Sequence, residues 1–282
     1  MQGCEPKKET SKVSVFVCVF SLVFCIHAIS KTYTNAAGGA EPAAPRLIAH
    51  AGGEIHGMRL TNSMEALDNS YGKGFRFFEV DVDWTADGIP VLTHDWGNVN
   101  WLRGIRYSAK PQSYREFKDG KAIFGLRFMD LGMLEEWLAK HGDAYVITDV
   151  KKDNLDLLHI IKNGYPVISS RIIPQIYAFD EYGAAEELGF RHIILTLYRL
   201  KEPQEEILEF CRKNTLFCIT MYRETAAPET IRTFAGLGVP IYVHPVNDYN
   251  EYVKLRDNGA YGIYTDYLQP SEWMENAHFV IQ

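Results

Sequence analysis

From residue 130 to residue 266 the chain repeats one unit, an amphipathic stretch followed by a short apolar run rich in β-branched residues. The spacing predicts helices over 130–141, 154–163, 181–189, 203–213, 228–237 and 248–258, and a short tail helix from Ser271. Between them it predicts strands over 144–150 (AYVITDV), 171–177 (RIIPQIY), 192–198 (HIILTLY), 216–222 (LFCITMY), 240–246 (PIYVHPV) and 261–266 (YGIYTD). Strands separated by helices form parallel sheets, because the helix carries the chain back to its starting edge. Upstream, 46–51 (RLIAHA) reads as a strand, 62–74 as a helix and 75–95 as a strand hairpin. Repetition without a break favours a single-domain α/β fold, a closed (β/α)₈ TIM barrel, over an open sheet. Nine strand candidates compete for eight places, so the hairpin arm or one other segment must lie outside the ring.

The length of 282 residues and a 46% hydrophobic composition suit one large domain with a full core. A net charge of -7 leaves no electrostatic footprint for nucleic acid. At the N-terminus, Lys7, Lys8 and Lys12 precede an apolar run from Val13 to Ile29. The run is about 17 residues long, at the lower edge of what spans a roughly 30 Å hydrocarbon core. Residues 1–30 therefore read as a signal peptide or an N-terminal membrane anchor, 31–45 as a linker and 46–282 as the barrel. Either reading of the leader puts the barrel outside the cytoplasm: secreted, periplasmic or membrane-anchored. Cys4, Cys18 and Cys25 fall in the leader. Cys211 and Cys218 remain, either as two buried thiols or as one short-loop disulfide, and neither has zinc spacing.

The hairpin reads FRFFEVDVDWTADGIPVLTHD. Glu79, Asp81 and Asp83 alternate with Phe78, Val80 and Val82, the period of a strand. A two-residue turn at Asp87-Gly88 would set Ala86 against Ile89 and Asp81 against His94. Glu79, Asp81 and His94 would then share one face. Residues 96–128 carry Trp96, Trp101, Arg103, Arg106 and Tyr107 without clear periodicity. They read as a long loop insertion after the hairpin, an excursion over the site.

Polar residues at predicted strand ends form a short set, since the active site of such barrels lies where strands meet the following loops. They are His50; Glu79, Asp81 and His94; Asp149 and Lys151; and Tyr222, Arg223, His244 and Asp266. Three carboxylates converging on one pocket repel each other unless a cation sits among them, and oxygen ligands suit Ca²⁺ or Mg²⁺. Two histidines beside such a site have the pKa for general acid–base work. A lysine there suits an anion such as phosphate. Taken singly, each has a blander reading: His50 as a structural histidine, and Lys151 with Lys152 as a solvated pair.

In combination, IAHAGG, TNSMEAL and GFRFFEVDVDWTADGIPVLTHDW resemble the glycerophosphodiester phosphodiesterase family. Asp149-Val150-Lys151 and Gly262-Ile263-Tyr264-Thr265-Asp266 match that family's later motifs, so the likeness runs from about residue 46 to 268. The resemblance implies a divalent cation on Glu79, Asp81 and Asp149, an acid–base pair of His50 and His94, and a phosphate contact from Lys151. It also implies a small glycerophosphodiester substrate. Three departures stand out. The family's arginine after the first histidine is Ala51, the glutamate of its ENT motif is Thr61, and the third metal carboxylate is Asp. Asp in that place also occurs in the related sphingomyelinase D-like enzymes, which act on choline phospholipids. Arg59, Arg103 or Arg106 is expected to supply the donor missing at Ala51, with Tyr222 and His244 also lining the substrate site. Three readings follow: a metal-dependent glycerophosphodiester hydrolase, a phospholipase D- or C-like enzyme on intact phospholipid or sphingomyelin, and a degenerate barrel that binds a phospho-ligand. Membrane association is expected through the N-terminal segment.

Overall fold

The computed structural model describes residues 42–270. The predicted leader, most of the linker and a short helix predicted from Ser271 lie outside the described residues. The first half of the barrel comprises β1 (Leu47–Ala49), α1 (Met64–Gly72), β2 (Phe77–Trp84), β3 (Pro90–Leu92), α2 (Trp96–Leu102), α3 (Tyr114–Asp119), α4 (Leu131–Lys140), β4 (Tyr145–Val150) and α5 (Asn154–Gly164). It continues through α6 (Pro166–Arg171), β5 (Ile172–Ile176), α7 (Asp180–Glu187), β6 (Ile194–Thr196) and α8 (Gln204–Lys213). The last elements are β7 (Cys218–Tyr222), α9 (Pro228–Ala235), β8 (Ile241–His244), α10 (Tyr249–Asp257) and β9 (Gly262–Thr265). Eight strands pair in parallel around a closed ring, in the order β1, β2, β4 to β9, with β9 returning to β1. The ninth candidate, β3, joins the sheet through β2, antiparallel, with an isolated bridge from Val91 to Asp130 on its other side, so it is the hairpin arm that lies outside the ring.

Each ring strand contributes one side chain to an interior cluster: Ile48, Phe77, Ile147, Ile173, Ile194, Cys218, Tyr242 and Tyr264, all buried. Large and β-branched side chains fill the barrel as a packed plug. The outer faces of the strands pack against the helices, with Trp137 of α4 set edge-on to Phe78 at 5.2 Å between ring centres. Burying a side chain of this size stabilises by about 1.5–3 kcal/mol. Cys211 and Cys218 are both free and buried, so no disulfide joins them.

Two expectations are corrected. The hairpin pairs Val82 with Leu92, Asp83 with Val91 and Trp84 with Pro90, one residue out of the predicted register. Its turn holds three residues, Ala86, Asp87 and Gly88, closed by Thr85 N–H to Ile89 O (2.9 Å) and Gly88 N–H to Thr85 O (3.0 Å). Gly88 takes φ +79°, and a type I turn ending in a left-handed glycine is the usual three-residue solution. Asp81 therefore faces Thr93, whose N–H donates to the Asp81 carbonyl (3.0 Å), and not His94.

The second correction concerns 96–128, which is not a structureless loop. It folds as α2 and α3 around a small core of its own, with Val91, Trp96, Val99, Leu102, Phe117, Leu126 and Phe128 buried together. The overlooked signals are helix caps: Asp95 caps α2 through Asn98 N–H, and Ser113 and Glu116 form a reciprocal capping box on α3.

Candidate active site

A two-residue step along each strand keeps the side chain on the same face. Two residues beyond the apolar plug, the strands carry His50, Glu79, Asp149, Gln175, Thr196, Thr220, His244 and Asp266. The floor of the mouth is thus a polar layer laid directly on a hydrocarbon one. Asp81, one further step along β2, lies beside Asp149 of β4 in the strand register.

Glu79, Asp81 and Asp149 each present an oxygen within 4.8 Å of the others. Burial and the neighbouring Asp81 push the Glu79 carboxyl up to about 8. Three carboxylates at that spacing, two of them buried, are stable as anions only with positive charge among them. The donor set, oxygen throughout, fits a hard divalent cation. Lys151 already supplies part of the countercharge, its Nζ 2.5 Å from Asp81 Oδ1 and 3.0 Å from Asp149 Oδ2. Burial opposes charge on Lys151, but those carboxylates outweigh it and raise its pKa well above the usual lysine value.

Each carboxylate is held in place from behind. Glu79 Oε2 accepts the N–H of Ala51 (2.7 Å). Asp81 is bracketed by Asn62, whose Nδ2 donates to Oδ2 and whose Oδ1 accepts the Asp81 N–H, both at 2.9 Å. Asn62 does this from a left-handed backbone (φ +48°), a conformation asparagine tolerates better than most residues. Asp149 accepts from the Tyr177 hydroxyl (2.7 Å) and the Tyr198 hydroxyl (3.1 Å), with the Arg199 guanidinium at 3.4 Å. Burial would raise the Asp149 carboxyl, but Lys151, Tyr177 and Arg199 hold it at about 2.

His50 stands at the end of β1, where the chain turns through Ala51, Gly52 and Gly53, all with positive φ. Gly53 leaves room for Ser70, since a Cβ there would lie 2.1 Å from Ser70 Oγ on α1. The His50 Nδ1–H donates to Asp266 Oδ1 (2.8 Å), and Asp266 is fixed in turn by Asn247 Nδ2 on its other oxygen (2.7 Å). That leaves Nε2 facing Glu79 Oε2 at 4.0 Å. Burial works against a charged ring, yet the Asp266 hydrogen bond and the Glu79, Asp266 and Asp81 carboxylates raise His50 to about 9. His244 sits 6.5 Å from His50 between ring centres and contrasts with it: burial and the charge of His50 push it down to about 3, so it is neutral. The surroundings of the pair favour the charged ring at His50 and the neutral ring at His244.

The remaining predicted residues are placed less centrally. His94 is part-exposed, and its Nδ1 lies 2.9 Å from Asp95 Oδ2. Thr93 and not His94 stands opposite Asp81, so the cross-strand pairing expected of His94 is not made. Arg59 reaches Asp266 Oδ2 at 3.8 Å with its side chain half exposed. Arg103 is turned into the insertion, donating to Gln112 and to the Glu116 and Phe117 carbonyls, and so does not replace the arginine missing at Ala51. Arg106 is exposed on the following loop. Tyr222 is exposed and lies 5.0 Å from His244 and 4.8 Å from Tyr198 between ring centres. Arg223 pairs with Glu224 and Glu251. Sequence reading missed Asn62, Tyr177, Tyr198, Arg199 and Asn247. Tyr177 and Tyr198 end predicted strands and were open to the same search that found Asp149. Asn62, Arg199 and Asn247 lie beyond strand ends and join the site only through the fold.

Residues 51–137 match the model of the glycerophosphoryl diester phosphodiesterase family. The resemblance read from the sequence is borne out over that stretch. Among curated proteins, the chain is similar to a lysophospholipase D of Mus musculus, 31% identical over 128 residues. That match spans 42% of this chain and 38% of the mouse protein. Among solved structures, it resembles a glycerophosphodiester phosphodiesterase of Parabacteroides distasonis (TM-score 0.63, 20% identity, 84% of this chain and 98% of that one). It also resembles an Oleispira antarctica phosphodiesterase in complex with the product sn-glycerol-3-phosphate (TM-score 0.64, 17% identity, 83% and 97%). The (β/α)₈ architecture is common to all of these structures and to this chain.

Proposed function

We propose that this chain is a metal-dependent phosphodiester hydrolase acting on glycerophosphodiesters. The observation that carries the reading is the convergence of Glu79, Asp81 and Asp149 beside a histidine whose far nitrogen is fixed by Asp266. The match of 51–137 and the product held by the Oleispira enzyme support it. Glu79, Asp81 and Asp149 would hold Ca²⁺ or Mg²⁺, which when bound offsets negative charge on phosphoryl oxygens.

The chain's own residues do the rest. Asp266 holds the His50 ring so that Nε2 faces the carboxylates, where it takes or gives a proton at a phosphodiester oxygen. His94 is the second proton carrier, on the opposite arm of the hairpin. Lys151, with Arg59 at the rim, supplies positive charge for the phosphate, and Tyr222 and His244 line the side occupied by the alcohol. With positive charge held among the carboxylates, their pull on His50 would weaken and its pKa would move back toward neutrality, where proton transfer in both directions is efficient.

A second reading keeps the chemistry and changes the substrate to an intact lysophospholipid, favoured by the likeness to the mouse lysophospholipase D and by Asp in the third carboxylate position. Product analysis by mass spectrometry on glycerophosphocholine, lysophosphatidylcholine and sphingomyelin separates the two. EDTA is expected to abolish hydrolysis and Ca²⁺ or Mg²⁺ to restore it. Either ion is also expected to raise the Tm of the wild type by mass action but not that of Asp81→Asn. Turnover of none of the three substrates, with either ion present, would leave only the reading of a phospho-ligand-binding barrel. We further read Val13 to Ile29 as the segment that exports or anchors the chain, placing the barrel outside the cytoplasm. Protease accessibility in intact cells tests that placement.

A further inference from the structure

The insertion 96–128 buries one side of its small core and leaves the other side apolar. Trp101 and Ile105 are 55% and 53% exposed, and Tyr107 and Phe124 are each 69% exposed. Single exposed apolar residues need no explanation, but a group on one segment does. The group is a built feature. Gly97 leaves room for the Tyr107 ring to lie against α2, the helix that carries Trp101, and a Cβ there would sit 2.1 Å from that ring. The segment is also tied to the mouth of the barrel. Asn98 Nδ2 donates to Leu60 O (2.7 Å) in the loop that follows β1, and the Phe124 ring meets His56 of the same loop at 5.6 Å. Tyr222 at the end of β7 and Tyr267 just beyond β9 are exposed as well.

The charge of this surface selects its occupant. Residues 101–110 read WLRGIRYSAK, with Arg103, Arg106 and Lys110 and no carboxylate, in a chain whose net charge is -7. Arg103 is engaged within the insertion, whereas Arg106 and Lys110 are exposed beside the aromatic residues. Tryptophan and tyrosine among cations is the composition that settles at the boundary between acyl chains and anionic headgroups.

We propose that the surface formed by Trp101, Ile105, Tyr107 and Phe124, with Arg106 and Lys110 beside them, docks the mouth of the barrel onto an anionic phospholipid surface. The apolar side chains enter the interfacial layer, and the two cations lie at headgroup level. Contact with lipid through this face does not depend on turnover.

The test uses the full chain with phosphatidylcholine vesicles, with and without about a quarter of phosphatidylserine, whose acyl chains are brominated to quench tryptophan emission on contact. The difference between the wild type and Trp101→Phe isolates Trp101 from the other tryptophans. It reports on this face even where the N-terminal segment also holds the chain to the vesicle. Quenching of Trp101 on the anionic vesicles is expected, and Arg106→Ser with Lys110→Ser should reduce apparent binding by this face about five-fold per cation removed. Trp101 and its cations are exposed, so these substitutions leave the cores intact. Identical quenching of the wild type and Trp101→Phe on anionic vesicles overturns the proposal, and so does quenching indifferent to the loss of both cations.

Discussion

Asp266 is not one of the three clustered carboxylates, yet it decides what His50 can do. With Nδ1 engaged, the ring offers only Nε2 to the mouth, and the neighbouring carboxylates raise its pKa to about 9. Changing His50 to Ala removes the proton carrier and is expected to cost about 10²–10⁴-fold in kcat. Asp266→Asn keeps the shape but not the charge. It is expected to lower kcat by something on the order of 10²-fold and to move the alkaline limb of the pH–rate profile downward, while KM changes little. A merely structural Asp266 would lower the Tm and leave the pH profile where it was. Ala51 shows the converse case. Its buried methyl offers no polar group, but its N–H holds Glu79, a duty that does not depend on the side chain.

The hairpin and the β1–α1 loop place these residues, and both depend on glycines for different reasons. Gly88 sits in open space at φ +79°, so Gly88→Ala carries only the conformational penalty, about 1 kcal/mol. Gly53 has φ +91° and would also drive a methyl into Ser70, whose hydroxyl bonds Gly52 O (2.7 Å). Gly53→Ala is expected to lose about 2–3 kcal/mol, the left-handed penalty plus a broken buried hydrogen bond. Urea denaturation of the two variants should rank them in that order. Equal losses would mean that α1 yields easily, and the tight seat described for His50 would not stand.

Across the barrel as a whole, the polar layer above the plug makes stability depend on pH through buried histidine. His244 is held neutral, its pKa depressed from the ordinary 6.5 to about 3. Below pH 6.5 the unfolded chain binds a proton there that the folded chain refuses. Stability from this residue is therefore complete above about pH 6.5 and is lost as pH falls toward 3, by up to about 1.4 kcal/mol per pH unit. His50 and Glu79 have raised values and act in other windows, so the measurement is a difference. The gap in unfolding free energy between the wild type and His244→Gln, followed from pH 7 to pH 4, should shift steadily against the wild type as pH falls. A gap independent of pH would show that His244 is hydrated in the folded state.

The barrel and much of its site were legible because both rest on period. Alternating helix and strand patterns forced a parallel sheet, and the strand-end residues His50, Asp149, His244 and Asp266 were found by asking what stands at the end of each apolar run. Glu79 and Asp81 shared a face by strand alternation alone. The position of His94 was not legible, because a turn of three residues rather than two moves every cross-strand partner by one, and the local sequence TADGI is compatible with both. The helices of the insertion were hidden for a related reason: they are short and bury their apolar faces against each other, Val91 of β3 and the β1–α1 loop, so no long periodic pattern marks them. Asn62, Arg199 and Asn247 belong to segments far apart in the chain, and nothing local ties them to Asp81, Asp149 or Asp266. Local conformation follows the order of residues along the chain, whereas a hydrogen bond between distant side chains exists only once the ring of strands has closed.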